Sequence, residues 1–482
     1  MRRTALRSAA ATVTSQGLRQ AVSLAGTMIV ARHVTPVDYG LVAMVMAPLV
    51  LLETLREFGL MTVCVQEPEL DHDRVNTMFW INTSAGFALA IIAAVAAPAL
   101  ARFYDASAIV EITVVLACGL ALASLSIEHY GLLRRQMRFT EIAVLEGIST
   151  SASVIIGIWA ACSGWGYRAI LAQILAARGI NVAGAWFLCA WRPTLSWHPR
   201  GVWPLLRTGA HLTGTSLLGT IARSMDTIAL ARFTGPLDVG LYTRGLSIGL
   251  LPVGLVEGPL STISVSALAR LQHDPERRAH AALVFIRWLS VGMTGLALVL
   301  ALIPDVIVTV ILGRQWGEAV PLLRWLALMA IAVPLANAAT VVATVFGQLP
   351  LLLRCTAVSA VILAGTILWG AAGGAQRLAP AYSLAALLTA AATLAAVLYK
   401  ALPTGRRVLQ ASLSAVGAGL VCYIVAQAAG SWASSAWHPE WLGAATVRLS
   451  IGVVMYGAWA CANLKLHRHV LKTLRSITEP FA

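Results

Sequence analysis

Two stretches of the chain repeat one another: residues 31–41 read ARHVTPVDYGL, and residues 231–241 read ARFTGPLDVGL. Ala, Arg, Pro, Asp, Gly and Leu occupy the same offsets in both copies. The similarity continues at the same spacing in the pairs Glu57 and Glu257, Leu60 and Leu260, Thr62 and Thr262, and Val65 and Val265. Two unrelated turns can converge on Pro, Asp and Gly, but a constant offset over a longer stretch indicates an internal repeat.

The composition is that of a chain embedded in a bilayer. It is 58% hydrophobic and 12% charged, with a mean hydropathy of +0.78, whereas soluble domains carry roughly 25% charged residues. Apolar runs near the ~20 residues that span hydrocarbon recur about fourteen times. The polar connections are too short to bury a core of their own. We therefore predict an all-α, polytopic membrane protein without a sizeable soluble domain.

The net charge of +14 falls mainly on one side of the predicted helices. Alternate connections are rich in arginine and lysine, and this asymmetry is the positive-inside rule. We therefore predict that both termini are cytoplasmic, that the basic loops contact anionic membrane lipids, and that nucleic acid is not a partner. The predicted cytoplasmic residues are Arg2, Arg3, Arg7, Arg134, Arg135, Arg138, Arg192, Arg200, Arg270, Arg277, Arg278, Lys400, Arg406, Arg407, Lys465, Arg468, Lys472 and Arg475.

The first apolar run follows MRRTALR and could begin a cleaved signal peptide. Arg19 and Gln20 interrupt its apolar core, however, and the run continues through AVSLAGTMIVA to spanning length. We expect a retained first helix.

The repeated stretches are predicted to lie at outer turns. Pro cannot continue a preceding helix, Asp can cap a new one, and Gly permits close packing. About six spans separate the copies, so both halves have the same orientation, as in parallel-repeat transporters. We predict an N-terminal lobe (1–200), a C-terminal lobe (201–405) and a central cavity between them, followed by two additional helices and a basic cytoplasmic tail (406–482).

Ionisable residues within the apolar runs are the candidate site, because each costs roughly 2.5–3.5 kcal/mol or more at membrane depth. The first span has a polar stripe of Thr12, Gln16, Arg19, Ser23 and Thr27, and the seventh has one of His211, Thr215, Arg223 and Asp226. The carboxylates Glu53, Glu57, Glu146 and Glu257 mark other spans. For each residue the alternative is a structural ion pair or a side chain that reaches the interface.

Arg19, Arg223 and Asp226 lie nearest the middle of their spans, and they are the favoured functional residues. A guanidinium binds phosphate oxygens with two parallel hydrogen bonds, so arginines facing a cavity favour an anionic substrate. Arg223 and Asp226 are three residues apart and could pair on one helix face. Glu53, Glu146 and Glu257 are candidates for coupling to a cation.

Two smaller signals are interpreted as unrelated to chemistry. Asp71, His72 and Asp73 form a DxD pattern, but no nucleotide-binding domain surrounds it, so a solvated acidic loop is expected. His467 and His469 lie in the basic tail and are expected to face lipid headgroups. The sequence predicts no cofactor and no metal site.

Several blocks together resemble the polysaccharide-biosynthesis (Wzx-type) flippases, in particular their colanic-acid-exporter-like branch. The blocks are ARHVTPVDYGLVAM, FGLMTVCVQEPEL, NTMFWINTSAG, RSMDTIALARFTGPLDVGLYTRGLSIGLLPVGLVEGPLSTISVSALARLQHDPERRAHA and LGRQWGEAVPLLRWLAL. The resemblance covers nearly the whole of residues 10–400, and the blocks follow in order. The resemblance implies export of lipid-linked oligosaccharide units on undecaprenyl diphosphate across the bacterial inner membrane, by alternating access. The family belongs to the multidrug/oligosaccharidyl-lipid/polysaccharide exporter superfamily.

The resemblance also implies particular cavity positions. By resemblance, Arg223 and Asp226 in RSMDTIALAR are expected to bind substrate, and so are Tyr242 and Arg244 in GLYTRGLS. The assignment of Arg19 as a substrate-binding residue rests on its polar stripe alone. The family often has an Asn before the Asp of the seventh span, where this chain reads ARSMD, and this departure leaves the sugar selectivity open.

Two other functions compete with a flippase. A multidrug or small-molecule antiporter of the same superfamily would have similar spans, although an electropositive cavity disfavours cationic drugs. A membrane-embedded glycan polymerase would need a large outer loop for its catalytic groups, and the sequence has none. The prediction is therefore a transporter and not an enzyme, acting beside the polysaccharide polymerase or chain-length machinery.

Overall fold

The computed structural model describes residues 2–57, 61, 64, 67, 71–194, 199–254, 275–401, 410, 414, 416–429 and 441–465. In the first helix, side chains are described from residue 17 onward. The side chains of His211 and Thr215 are not among those described. These residues form helices joined by short turns, with no strand among them. Leu60, Thr62, Val65, Glu257, Leu260, Thr262 and Val265 of the repeat, together with His467 and His469, lie outside them.

The helices up to residue 233 are α1 (Arg2–His33), α2 (Pro36–Glu57), α3 (His72–Tyr104), α4 (Ala108–Ser124), α5 (Ile127–Arg135), α6 (Phe139–Cys162), α7 (Tyr167–Leu188) and α8 (Pro199–Phe233). Those that follow are α9 (Pro236–Gly249), α10 (Pro275–Leu302), α11 (Pro304–Ile311), a 3₁₀ turn (Arg314–Trp316), α12 (Ala319–Leu326), α13 (Met329–Val345), α14 (Leu349–Ala371), α15 (Ala375–Ala401), α16 (Val416–Ala429) and α17 (Trp441–Lys465).

The protein is a multi-pass, all-α membrane protein. Within the described residues, 9 segments are long and apolar enough to cross a bilayer. They are Pro36–Glu57, His72–Tyr104, Ala108–Arg135, Phe139–Cys162, Tyr167–Leu188, Val284–Leu302, Ala319–Val345, Leu349–Ala371 and Ala375–Lys400. Shorter apolar helices cover Val416–Ala429 and Ala445–Cys461. The count of about fourteen spans stays a prediction.

Two long helices, α1 and α8, are absent from that apolar set although they have 32 and 35 residues. Their length exceeds the roughly 20 residues that a spanning helix needs. These are the helices on which the sequence predicts polar stripes.

The chain divides into two compact units. The first contains residues 1–240 and 311–315, and the second contains residues 241–310 and 316–482. Helix α8 therefore lies in the first unit with α1 to α7. The lobe boundaries near residues 200 and 405 stay predictions.

In the first unit, the repeated stretch begins α2 with a reciprocal cap. The Thr35 N–H donates to Asp38 Oδ2 at 3.1 Å, the Thr35 hydroxyl donates to the same oxygen at 2.7 Å, and the Asp38 N–H donates to Thr35 Oγ1 at 3.2 Å. Pro36 occupies the first helical position, where a missing N–H has no consequence. The capping role expected of Asp38 is confirmed.

The two copies of the repeat contact one another through their glycines. A Cβ on Gly40 would lie 1.7 Å from the Pro236 carbonyl oxygen, and a Cβ on Gly240 would lie 1.9 Å from the Pro36 carbonyl oxygen. Any side chain at either position would overlap the backbone of the other copy. The starts of α2 and α9 therefore lie against one another within the first unit.

The fourth span is broken into α4 and α5 at Leu125 and Ser126. Trp186 Nε1 donates to the Leu125 carbonyl at 2.7 Å, and the Asn82 amide donates to the Ser124 carbonyl at 3.4 Å. These side chains satisfy carbonyls that the break leaves without helical partners. A helix break at membrane depth is tolerated when neighbouring groups do this.

The core of the second unit is formed by α10, α13 and α15. Ile286, Met293, Leu335 and Leu394 are among the buried residues that they contribute. The last two helices, α16 and α17, pack on the other side of α10 around Cys422, Ala426 and Tyr456. The Tyr456 hydroxyl donates to the Val291 carbonyl at 2.9 Å and fixes α17 against α10.

Candidate functional site

Arg19 and Glu146 form an ion pair between α1 and α6, with a hydrogen bond from Arg19 Nη1 to Glu146 Oε2. Their side chains are 28% and 30% exposed. The sequence assigned these residues separate roles, in anion binding and in cation coupling. The structure brings them together, so each of the two candidate groups partly neutralises the other.

A second pair joins α2 to α7, where Arg178 Nη2 donates to Glu53 Oε1. Sequence reasoning missed Arg178. The sequence did offer a signal for Arg178, because it lies eleven residues after Tyr167, where this apolar helix begins. Eleven residues of helix place it about 16 Å along the axis from the helix start. A guanidinium at that depth requires a partner.

Arg223 lies on α8 and contacts a hydroxyl pair that bridges α8 and α2. Its Nη2 donates to Thr220 Oγ1 at 3.4 Å, and Thr220 Oγ1 is 3.3 Å from Thr54 Oγ1. Thr54 follows Glu53 in α2, and Arg223 is exposed.

Asp226 is 1% exposed, and its Oδ1 accepts from the Thr227 N–H at 2.6 Å and from the Thr227 hydroxyl at 3.2 Å. Its burial indicates a structural anchor on α8. The predicted pairing of Asp226 with Arg223 stays a prediction.

Tyr242 and Arg244 belong to the second unit, on α9. Tyr242 is fully buried, and Arg244 is half-buried. Their roles as substrate contacts stay predictions. Glu257 lies outside the described residues.

A cluster that the sequence reasoning did not single out lies beside the break of the fourth span. Arg56, Glu128 and His129 are all buried, at 5%, 0% and 0% exposure. The Arg56 Nη1 donates to the Leu120 carbonyl at 3.3 Å. His129 stacks on Trp186, with ring centroids 4.7 Å apart. The signal in the sequence was Glu-His near the end of an otherwise apolar run.

The DxD pattern is exposed to solvent, as expected, but it begins a helix instead of lying in a loop. Asp71 caps α3 by accepting from the Arg74 N–H at 2.8 Å, and His72 and Asp73 lie in the first turn of α3. The expectation of a loop was wrong, because a carboxylate that precedes a helix is stabilised by its free N–H groups. In the described residues, no cluster of three or more His, Cys, Asp or Glu could hold a metal ion.

A groove of about 690 Å³ lies between α6 and α7. Val144, Ile148 and Phe187 are among its apolar lining residues, and Glu141 is its one charged lining residue. None of the predicted site residues lines it. The groove suits an apolar chain and not a diphosphate.

The matching family model is described as "Polysaccharide biosynthesis protein", and it covers residues 29–321. The chain belongs to this family. The match includes both copies of the repeated stretch, and it also includes Glu53, Glu146, Arg178 and Arg223.

Characterised relatives align over about three fifths of their own length. The succinoglycan biosynthesis transport protein ExoT of Rhizobium meliloti (strain 1021) is 24% identical over 62% of this chain and 61% of its own. The teichuronic acid biosynthesis protein TuaB of Bacillus subtilis (strain 168) is 22% identical over 60% of each chain. The lipopolysaccharide biosynthesis protein WzxC of Escherichia coli (strain K12) is 23% identical over 66% of this chain and 64% of its own.

Two solved structures share the fold. The lipid II flippase MurJ, in an inward closed conformation, has a TM-score of 0.69 at 13% identity and covers 95% of this chain and 98% of its own. An inward-facing multidrug resistance transporter of the MATE family has a TM-score of 0.63 at 15% identity, over 83% of this chain and 96% of its own. At these identities, the likeness concerns the fold alone.

Proposed function

We propose that the protein is a flippase that moves undecaprenyl-diphosphate-linked oligosaccharide units across the bacterial inner membrane by alternating access. Exopolysaccharide, capsule or O-antigen synthesis would use the exported units. The observation that carries the proposal is the set of arginines within long helices of the first unit, Arg19, Arg178 and Arg223, in a chain of the polysaccharide biosynthesis family.

Arg19 and Arg223 are the proposed diphosphate ligands. The Arg19 Nε–H is buried and has no hydrogen-bond partner among the described residues. An unpaired guanidinium N–H at membrane depth favours an anion with several acceptor oxygens. The diphosphate would compete with Glu146 for Arg19, so the ion pair would keep the empty site close to neutral.

Tyr242 and Arg244 of the second unit remain candidate substrate contacts, and Asp226 is proposed to orient α8. The carboxylates Glu53, Glu146 and Glu257 remain candidates for cation coupling. In the first two, release of the partner arginine would leave a carboxylate able to attract a cation. The polymerase or chain-length machinery is the proposed partner on the outer side, and the basic loops are proposed to contact anionic lipids.

A multidrug antiporter is the alternative function, because a MATE transporter shares the fold. Arginines in the spans disfavour a cationic substrate. A glycan polymerase is disfavoured because the described connections between spans are short turns, and the described residues contain no cluster of His, Cys, Asp or Glu that could hold a metal ion.

The test is complementation of flippase-null bacterial strains that make different glycans. We expect the wild-type chain to restore polymer in at least one strain, and Arg223→Lys to lower polymer output at equal membrane abundance. Lysine keeps the charge but loses the planar pair of donors. Losing one charge-assisted hydrogen bond, worth about 1.5–3 kcal/mol, would slow transport about tenfold or more.

Arg232→Lys on the same helix is the matched control. The Arg232 guanidinium lies 5.4 Å from the centre of the Phe103 ring, and a lysine ammonium can keep such a contact. Failure of the wild-type chain in every glycan background, together with resistance to cationic drugs, would favour the antiporter.

A further inference from the structure

Glu128 is a fully buried carboxyl group with neither oxygen hydrogen-bonded within the described part of the chain. It lies in the first turn of α5, immediately after the break of the fourth span. The neighbouring His129 is also fully buried, with both ring nitrogens unpartnered among the described residues. A carboxylate without hydrogen bonds is far costlier to bury than the neutral acid, so this geometry favours the protonated form.

Polar groups surround the carboxyl group without pairing with it. The Asn82 amide lies close enough to interact with the carboxyl, but it is outside hydrogen-bond geometry and donates to the Ser124 carbonyl instead. The buried Asn82 Oδ1 also lacks a partner among the described residues. The Arg56 guanidinium donates to the Leu120 carbonyl and lies within electrostatic range of Glu128.

Arg56 links this buried group to the candidate substrate site. Its guanidinium interacts electrostatically with Glu53, Glu57 and Arg178 as well as with Glu128. Its Nη2 lies 3.8 Å from Glu57 Oε1. Arg56 therefore lies within electrostatic range of both the buried carboxyl group and the Glu53–Arg178 pair.

We propose that Glu128 is a reversible proton-binding site, and that Arg56 transmits its charge state to the Glu53–Arg178 pair. With the proton on a Glu128 oxygen, Arg56 is attracted mainly by Glu53 and Glu57. When the proton leaves to water, the Glu128 carboxylate attracts Arg56. The electrostatic attraction between Arg56 and Glu53 then weakens. Glu53 then pairs more strongly with Arg178.

Several titratable and charged groups face Glu128 or the groups around it. Between Arg74 and Arg102, α3 has no ionisable side chain. Burial raises the pKa of the neighbouring Cys64 thiol to about 12, so this thiol stays protonated at neutral pH. The others are Glu53, Arg56 and Glu57 on α2, Arg178 on α7, His129 and Arg135 on α5, and Arg192, which follows α7 and lies within electrostatic range of His129.

The proton-binding site stands on the geometry alone, whereas a role in driving transport rests on the proposed function. The site differs from the carboxylates Glu53 and Glu146, because each of these already has an arginine partner. Its location beside a broken helix matches the physical requirement for an ion site at membrane depth, where freed backbone groups and polar side chains meet.

The experiment is infrared difference spectroscopy of the full chain in lipid nanodiscs, titrated from acidic to alkaline pH. We expect the carbonyl band of a buried protonated carboxyl group to persist at neutral pH and to disappear at higher pH. Glu128→Gln should remove this band. Glu141→Gln is the control, because Glu141 is solvent-accessible and paired with Arg138, and its removal should leave the band in place.

Glu128→Asp and Arg56→Lys extend the test to variants that keep the charges. The first should shift the frequency of the band, and the second should shift the pH at which the band disappears. Absence of the band in the wild-type protein at neutral pH, or its persistence in Glu128→Gln, would overturn the proposal. Loss of the band on addition of sodium at constant pH would assign the site to sodium instead. A failed complementation does not alter these spectra, so the two proposals fail separately.

Discussion

Arg19 is an ion-pair partner in the structure and a proposed ligand of the substrate. Its ion pair with Glu146 is part-buried, with side chains exposed by 28% and 30%, so solvent still screens it. A purely structural pair would work equally well with the two charges exchanged. A diphosphate ligand would not accept the exchange, because the guanidinium must stay on α1.

We therefore expect different outcomes for folding and transport when the charges are swapped. Arg19→Gln alone should lower membrane abundance, since it leaves Glu146 unpaired. The double change Arg19→Glu with Glu146→Arg should restore abundance but leave polymer output about tenfold or more below wild type. The measurement is polymer output normalised to protein in the membrane. Normal export by the swapped protein would show that the pair is structural.

At the scale of elements, the glycine contact between the starts of α2 and α9 is the most restrictive feature of the first unit. The Cβ positions of Gly40 and Gly240 would each fall under 2 Å from a carbonyl oxygen of the other copy. Backbone cannot yield as a flexible side chain does. The repeat therefore keeps glycine at both positions for a steric reason, and each copy supplies the surface that the other copy needs.

Gly40→Ala and Gly240→Ala are each expected to destabilise the protein by about 1–3 kcal/mol, as overpacking does. The double variant should lose less than the sum, because both changes disrupt one contact. Thermal unfolding in nanodiscs measures the effect. Gly365→Ala is the control, since no atom lies within 4 Å of its Cβ position. Strict additivity of the two changes would contradict a shared contact.

At the scale of the whole molecule, the distribution of arginine and lysine sets the orientation in the membrane. The cytoplasmic placement of both termini is a prediction from that distribution. Reporter fusions after Arg138 and after Arg278 should both report cytoplasm, whereas a fusion after Asp105 should report the outer side. Opposite locations for the first two fusions would contradict the parallel repeat.

The sequence by itself determined the membrane-embedded, all-α architecture, the internal repeat and the helices that carry charge. These properties follow from composition and from short-range spacing, because hydrocarbon admits few backbone structures and helical period assigns residues to faces. The cap formed by Thr35 and Asp38 was also predictable, because its partners are three residues apart.

Only the tertiary structure decided which charged side chains form ion pairs with one another. Arg19 and Glu146 are 127 residues apart, and Glu53 and Arg178 are 125 residues apart. Helical period places a side chain on a face but does not say which helix packs against that face. The burial of Glu128 depends in the same way on side chains from α2, α3 and α7. Water is excluded from a residue by the helices that enclose it, and its neighbours in the sequence do not reveal which helices these are.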